Sequence, residues 1–160
     1  MPDTKTLYDE DFVAWSTQQA EALRAAARGG TNQQLDWKNL AEEIDSLGRS
    51  EKRELRSQIL RAMHHLMKLE HSRRLEPRNG WQESVDNART EMRLVLETSP
   101  SLRTYLSDAI AGEIKHAADR ALRDLEKYGE IDQAIARRVR ATTYTPEQIL
   151  GDWFPPEPQP

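Results

Sequence analysis

Apolar side chains recur along most of the chain at spacings of three and four residues, the period of a helix buried along one face. The longest such run goes from Asp36 to His71. Placed on one helix at about 100° per residue, Trp37, Leu40, Ala41, Ile44, Leu55, Ile59, Ala62, Met63, Leu66 and Leu69 share a single stripe. The phase survives the polar stretch from Gly48 to Glu54. The run therefore predicts either one helix roughly 50 Å long, or two pieces that part at Gly48 and restart with Ser50 as N-cap.

Around this central element the pattern predicts shorter helices. The first spans Asp9 to about Arg28, with Tyr8, Phe12, Trp15, Ala22, Leu23 and Ala26 as its stripe, acidic residues at its start and Gly29-Gly30 at its end. Asp36 is a plausible N-cap for the central run. The segment Ser72–Gly80, with Pro77, reads as a polar connection, and a third helix follows from about Trp81 to Thr98. Ser99-Pro100 pairs an N-cap with a proline at the first helical position, opening a fourth helix that stops at Gly129. Its stripe is Leu106, Ile110, Ile114, Ala117, Ala118, Ala121, Leu125 and Tyr128. A fifth helix covers Ile131 to Arg140, and Thr145-Pro146-Glu147-Gln148 is a capping box that opens one or two turns through Leu150. The proline-rich end after Trp153 cannot stay helical. With no convincing strand and no repeat, the expected fold is all-α. It is an antiparallel helical bundle of four main helices with short C-terminal ones, in one domain over 1–160 with tails at 1–7 and 155–160.

Composition sharpens this picture in a few places. Of the 160 residues, 31% are charged and 37% hydrophobic, as suits helices with solvated outer faces. The absence of cysteine excludes disulfides, a thiolate nucleophile and thiolate metal sites. No apolar run reaches the ~18 residues of a membrane span, and Met1–Lys5 lacks the layout of a signal peptide, so the expectation is a cytoplasmic protein with no membrane partner. The net charge of −4 argues against a general nucleic-acid binder. It is unevenly spread: residues 1–48 carry −5, 49–93 carry +4 and 94–160 carry −3. The basic middle either complements the acidic ends within the chain or faces an acidic partner.

Several segments together resemble one family. They are Leu7-Tyr8-Asp9-Glu10-Asp11-Phe12 with Trp15, the run Asn39-Leu40-Ala41-Glu42-Glu43-Ile44-Asp45-Ser46-Leu47-Gly48-Arg49-Ser50, His65-Leu66-Met67-Lys68, Ser99-Pro100-Ser101-Leu102, and Tyr144-Thr145 with Asp152-Trp153-Phe154. In this order they resemble the bacterial domain of unknown function 29 family, from about Tyr8 to Phe154. Met67 and Glu70 depart from the residues expected there. The resemblance implies a wholly helical fold and no established activity.

Candidate chemistry is sparse. Asp45, Lys52, Arg56 and Glu70 fall on the apolar stripe of the central helix, where unpaired charge is costly. Either the stripe runs past its partners there, or these groups form a polar cluster that Asn39, Glu42, Glu43 and His65 could join. Among four histidines, only His116 has a glutamate three residues before it, Glu113, and di-iron bundles need two such motifs. The expectation is no metal and no cofactor. There is no Gly-x-Ser-x-Gly elbow and no P-loop. Arg73, Arg74 and Arg78, with Trp81 nearby, are the candidate basic patch, and Arg137–Arg140 reads as an ordinary basic helix end. Pro155–Pro158 has a PxxP spacing, the short form of a groove-docking motif. Leu47, Leu60 and Leu94 lie off their stripes and offer a second face. The leading expectation is a non-enzymatic interaction or self-assembly module with a protein partner or a second copy. The alternatives are a small hydrolase or metal-dependent enzyme using the polar cluster, and a nucleic-acid-associated accessory protein.

Overall fold

The computed structural model describes residues 4–30, 32 and 34–158, and every regular element among them is helical. Residues 1–3 and 159–160 of the expected tails, with Thr31 and Gln33 of the loop before Asp36, lie outside the described residues. The helices are α1 (Thr4–Glu10), α2 (Phe12–Arg28), α3 (Trp37–His71), α4 (Arg78–Thr98), α5 (Leu106–Lys127), α6 (Gln133–Ala141) and α7 (Pro146–Leu150). A 3-10 helix, Pro100–Tyr105, joins α4 to α5. Four helices are long and three short, and none is long and apolar enough to cross a membrane among the described residues. The chain resolves into two compact units, one of residues 1–54 and 94–104 and another of 55–93 and 105–160.

In the first unit, α3 runs unbroken through Gly48, which decides the open question of the central helix. Asp36 caps it, accepting the Asn39 N–H at 3.2 Å. Gly48 stays because of space: a Cβ there would stand 2.6 Å from the Ser16 hydroxyl of α2. The helix expected from Asp9 to Arg28 starts instead at Phe12, and a separate α1 takes in residues 4–7 of the expected tail together with Tyr8, Asp9 and Glu10. Asp11 leaves helical geometry (φ −154°, ψ 96°) and caps α2 by accepting the Ala14 N–H. A short carboxylate competes well with the helical backbone for such donors. Its carboxylate also accepts the backbone N–H and hydroxyl of Ser101. The buried side of α2 is Val13, Ser16 and Ala20, while Ala22 is exposed. The expected stripe misled because Tyr8, Phe12 and Trp15 pack on one another, with ring centroids 4.9–6.0 Å apart.

Ser99-Pro100 starts a 3-10 segment rather than an α-helix. The Ser99 hydroxyl is committed elsewhere, accepting the Val13 N–H at 3.3 Å, and its carbonyl accepts from Leu102, three residues on.

In the second unit the core is Leu55, Ile59, Met63, Leu66 and Leu69 of α3 with Val85, Ala88 and Met92 of α4 and the buried side of α5. Side-chain pairs 56–113, 64–124 and 68–124 show α3 and α5 running in the same direction. The α5 face is rotated from the one expected: Glu113 is buried, Ile114 half-buried and Tyr128 exposed. Gly129 (φ +70°) ends α5, where the Glu130 N–H closes on Leu125 O. Thr145 and Gln148 form the capping box of α7 as the spacing predicts. Beyond α7 the chain is irregular, with Pro155 buried and Glu157 3.6 Å from Arg78.

Candidate functional site

The polar residues singled out on the central helix divide between the two units. In the first, Arg24 of α2 and Arg49 of α3 hold Asp45 between them, each 3.2 Å from Oδ2. Both also reach Glu42. Asn39 donates to Asp36 at 2.6 Å, and Glu43 is exposed. Asn39 and Glu42 line a hollow of about 400 Å³ with Trp37, Lys38, Arg24 and Arg28. Asp45 and Glu42 thus form a solvated ion-pair network with Arg24 and Arg49, each charge partnered, whose pairs are worth at most a few tenths of a kcal/mol to about 1 kcal/mol apiece.

Beside that network the same stretch of α3 carries apolar groups that its own unit leaves uncovered. Leu40 and Leu47 are 41% and 45% exposed, and Trp37 and Ile44 are half-buried. Positions 37, 40, 44 and 47 follow the 3-4-3 spacing of a helix that meets another along a seam. Glu51 continues the row, and Glu43 and Glu54 stand along one edge, about 60–80° from its centre. Arg53, on the adjoining face, donates to Ser50 Oγ at 2.9 Å. Partial burial, then repulsion from Glu54, raises the Glu51 pKa above the ordinary carboxylate value.

Lys52 is exposed. Arg56 reaches across to the buried Glu113 of α5. Glu113 also pairs with His116 at 3.0 Å; burial pushes its pKa up, but the bonds from His116 and Arg56 outweigh that and hold it low. Glu70 accepts from Tyr144 at 2.9 Å. His65 packs against His64 with its Nδ1 buried and unbonded. Burial first, then the charge of Lys68, lowers its pKa to about 4. Among the described residues, no group of three or more His, Cys, Asp or Glu is placed to share a metal ion.

The three arginines do not gather on one exposed patch. Arg73 is exposed, Arg74 stacks on Tyr128 at 3.9 Å, and Arg78 is buried, donating to Leu69 O and Ser72 O at the end of α3. Arg89, unremarked in the sequence, is 1% exposed and donates to the carbonyls of Gln148, Ile149 and Trp153 while its guanidinium covers Phe154. It pins the C-terminal segment to α4. Its position on the buried side, next to Ala88 and three residues before Met92, was the available signal. Of the off-stripe leucines, Leu47 and Leu94 are exposed and Leu60 is half-buried.

The family profile "Domain of unknown function DUF29" matches residues 7–154. The chain belongs to the DUF29 family. A crystal structure of an α-helical protein of unknown function from Rhodospirillum rubrum is similar to it, at 25% identity and a TM-score of 0.70, over 89% of this chain and 88% of that one. Comparison with curated proteins yields no match. Within this DUF29 chain, segments that carry the family resemblance are held by joints. Asp11 binds Ser101, Ser16 faces Gly48, and the Trp153-Phe154 end folds over Arg89.

Proposed function

We propose that this DUF29 protein is a helical interaction module that docks a basic amphipathic helix of another protein along α3. The observation that carries the reading is the row Trp37, Leu40, Ile44 and Leu47, exposed or half-exposed, continued by Glu51 and edged by Glu43 and Glu54. Apolar residues at this spacing fit the i, i+3, i+4, i+7 anchors of a docked helix. The acidic edge favours a partner with Lys or Arg flanking its anchors. It disfavours a second copy of this chain, since twofold pairing along the row would bring like-charged edges together. The first unit, residues 1–54 and 94–104, carries 8 basic and 12 acidic side chains, so the protein's net −4 resides there and adds long-range attraction for a cationic partner.

A library of helical peptides, selected on the full chain and counter-selected on a Leu40→Glu/Leu47→Glu variant, tests this. The expected winners carry apolar residues at helical spacing flanked by Lys or Arg, bind the parent protein, and lose affinity as salt rises. Winners without basic flanks, or binding the variant equally well, would overturn the reading. So would a concentration-dependent dimer in light scattering that the double substitution abolishes.

A further inference from the structure

The second unit contains a cavity of about 260 Å³ that the docking row does not use. Lys68 and Ser72 line it from the end of α3, Trp81 from the first turn of α4, and Asp124 and Tyr128 from the end of α5, with Arg74 from the connection between. Lys68 is only 9% exposed, yet its ammonium reaches into this space, 3.1 Å from Asp124 Oδ2 and 4.8 Å from the centre of the Trp81 ring. The two acids on the wall are occupied by the chain itself. Asp124 Oδ2 also meets His64 Nε2 at 2.8 Å, and Glu130 accepts the Ser72 hydroxyl at 2.7 Å and the Arg73 N–H at 2.8 Å. Two of the cations are committed differently: Arg74 and Lys127 lie over the Tyr128 ring, 3.9 and 5.6 Å from its centre.

Helix ends act in both directions. The C-terminal ends of α3 and α5 are the negative ends of their dipoles, softened where Lys68 O accepts the Ser72 N–H, Leu69 O accepts from Arg78, and Glu126 O and Leu125 O accept the N–H groups of Gly129 and Glu130. The cavity wall also includes the first turn of the 21-residue α4, the positive end of its dipole. The volume is several times the ~30 Å³ share of one water, so it suits a body larger than a lone ion.

We infer that this cavity binds a small organic anion, a carboxylate or phosphate group set between Lys68 and Arg74 with an apolar body against Trp81 and Tyr128. Charge-assisted contacts supply the affinity, and the aromatic walls select a ring or short chain over a bare anion. This inference is independent of the docking row.

Titration of the labelled 160-residue chain, at constant ionic strength, with phenyl phosphate and with benzoate reads the site through the Trp81 indole N–H resonance. A Trp81→Phe variant assigns that resonance. Inorganic phosphate and chloride serve as comparators. The expected result is a saturable shift with one or both aromatic anions, the tighter naming the headgroup, and weaker response to the bare ions. Arg74→Gln should weaken binding about tenfold, the size of one charge-assisted contact, without moving the melting temperature. Arg74 carries this arm because Lys68, in a buried network, could fail to fold when replaced. No saturable shift with either aromatic anion, a shift that chloride reproduces, or unchanged affinity in Arg74→Gln would overturn the assignment.

Discussion

At the scale of the residue, the buried imidazoles make a prediction about acid stability. His65 is held at about 4, first by burial and then by Lys68, with its Nδ1 unbonded. Burial likewise lowers His64 and His71. In the unfolded chain these rings protonate near pH 6.5, so between that value and their lower folded values the unfolded state binds more protons and gains on the native one. Stability is therefore full above about pH 6.5 and declines as pH falls towards 4. Asp124 and Glu113, also held low, act mainly below the ordinary carboxylate values, and Glu51, held high, stabilises the native state as pH falls, so the decline between pH 7 and 5 belongs to the histidines. Allowing for the partial exposure of the ring, His65 should account for about 1 kcal/mol of the loss across that interval. Urea denaturation at the two pH values checks it: the loss should shrink in His65→Gln, and an equal loss in parent and variant would remove His65 from the account.

At the scale of the element, the approach of α2 to α3 turns on one pair, Ser16 and Gly48. A methyl at 48 would meet the Ser16 hydroxyl at 2.6 Å, whereas the next atoms, Val13 Cγ1 and Ser16 Cβ, stand at ordinary distances of 3.7 and 3.8 Å. Ser16 is held in place by its bond to Val13 O at 2.9 Å. Gly48→Ala alone gains helix propensity but forces that hydroxyl to swing away, so the terms oppose. In a Ser16→Ala background the obstruction is gone, and Gly48→Ala should then stabilise by about 0.5–1 kcal/mol. A double-mutant cycle in urea reads the coupling, and additive effects would show that the close approach costs nothing. Such a contact explains what periodicity leaves out. Hydrophobic spacing placed α3 and α4, and glycine and capping residues placed the stop at Gly129 and the α7 cap, because each depends on residues within a few positions of one another. It missed the break at Asp11, the 3-10 start at Pro100 and the inward turn of Glu113. Those depend on partners far along the chain: Ser101 for Asp11, Val13 for Ser99, Arg56 for Glu113. The site candidates failed to gather for the same reason. A helical wheel puts Asp45, Lys52 and Arg56 on one stripe, but Arg24 and Glu113, which claim two of them, belong to other helices.

At the scale of the whole molecule, the distribution of charge separates recognition from folding. The unit of residues 1–54 and 94–104 carries the entire net −4, and the residues of the other unit balance to zero, 15 against 15. Replacing Glu43 and Glu51 by Lys brings the first unit to neutrality without touching its buried positions, since Glu43 is exposed and Glu51 partly so. The fold should not suffer. The raised pKa of Glu51 marks it as a carboxylate that its site, through burial and then through Glu54, already disfavours in the ionised form. A lysine there faces Glu54 three residues on, a pair worth a few tenths of a kcal/mol in favour of the helix. Calorimetry should thus find the Glu43→Lys/Glu51→Lys protein melting no lower than its parent. Binding should respond in the opposite sense: a basic helical peptide that docks on the parent row should lose about tenfold or more in affinity at low salt, and the difference should narrow as salt screens it. Unchanged affinity would mean that the row is read by shape alone. A large fall in melting temperature would mean that the acids serve the fold, and the edge would lose its standing as a docking feature.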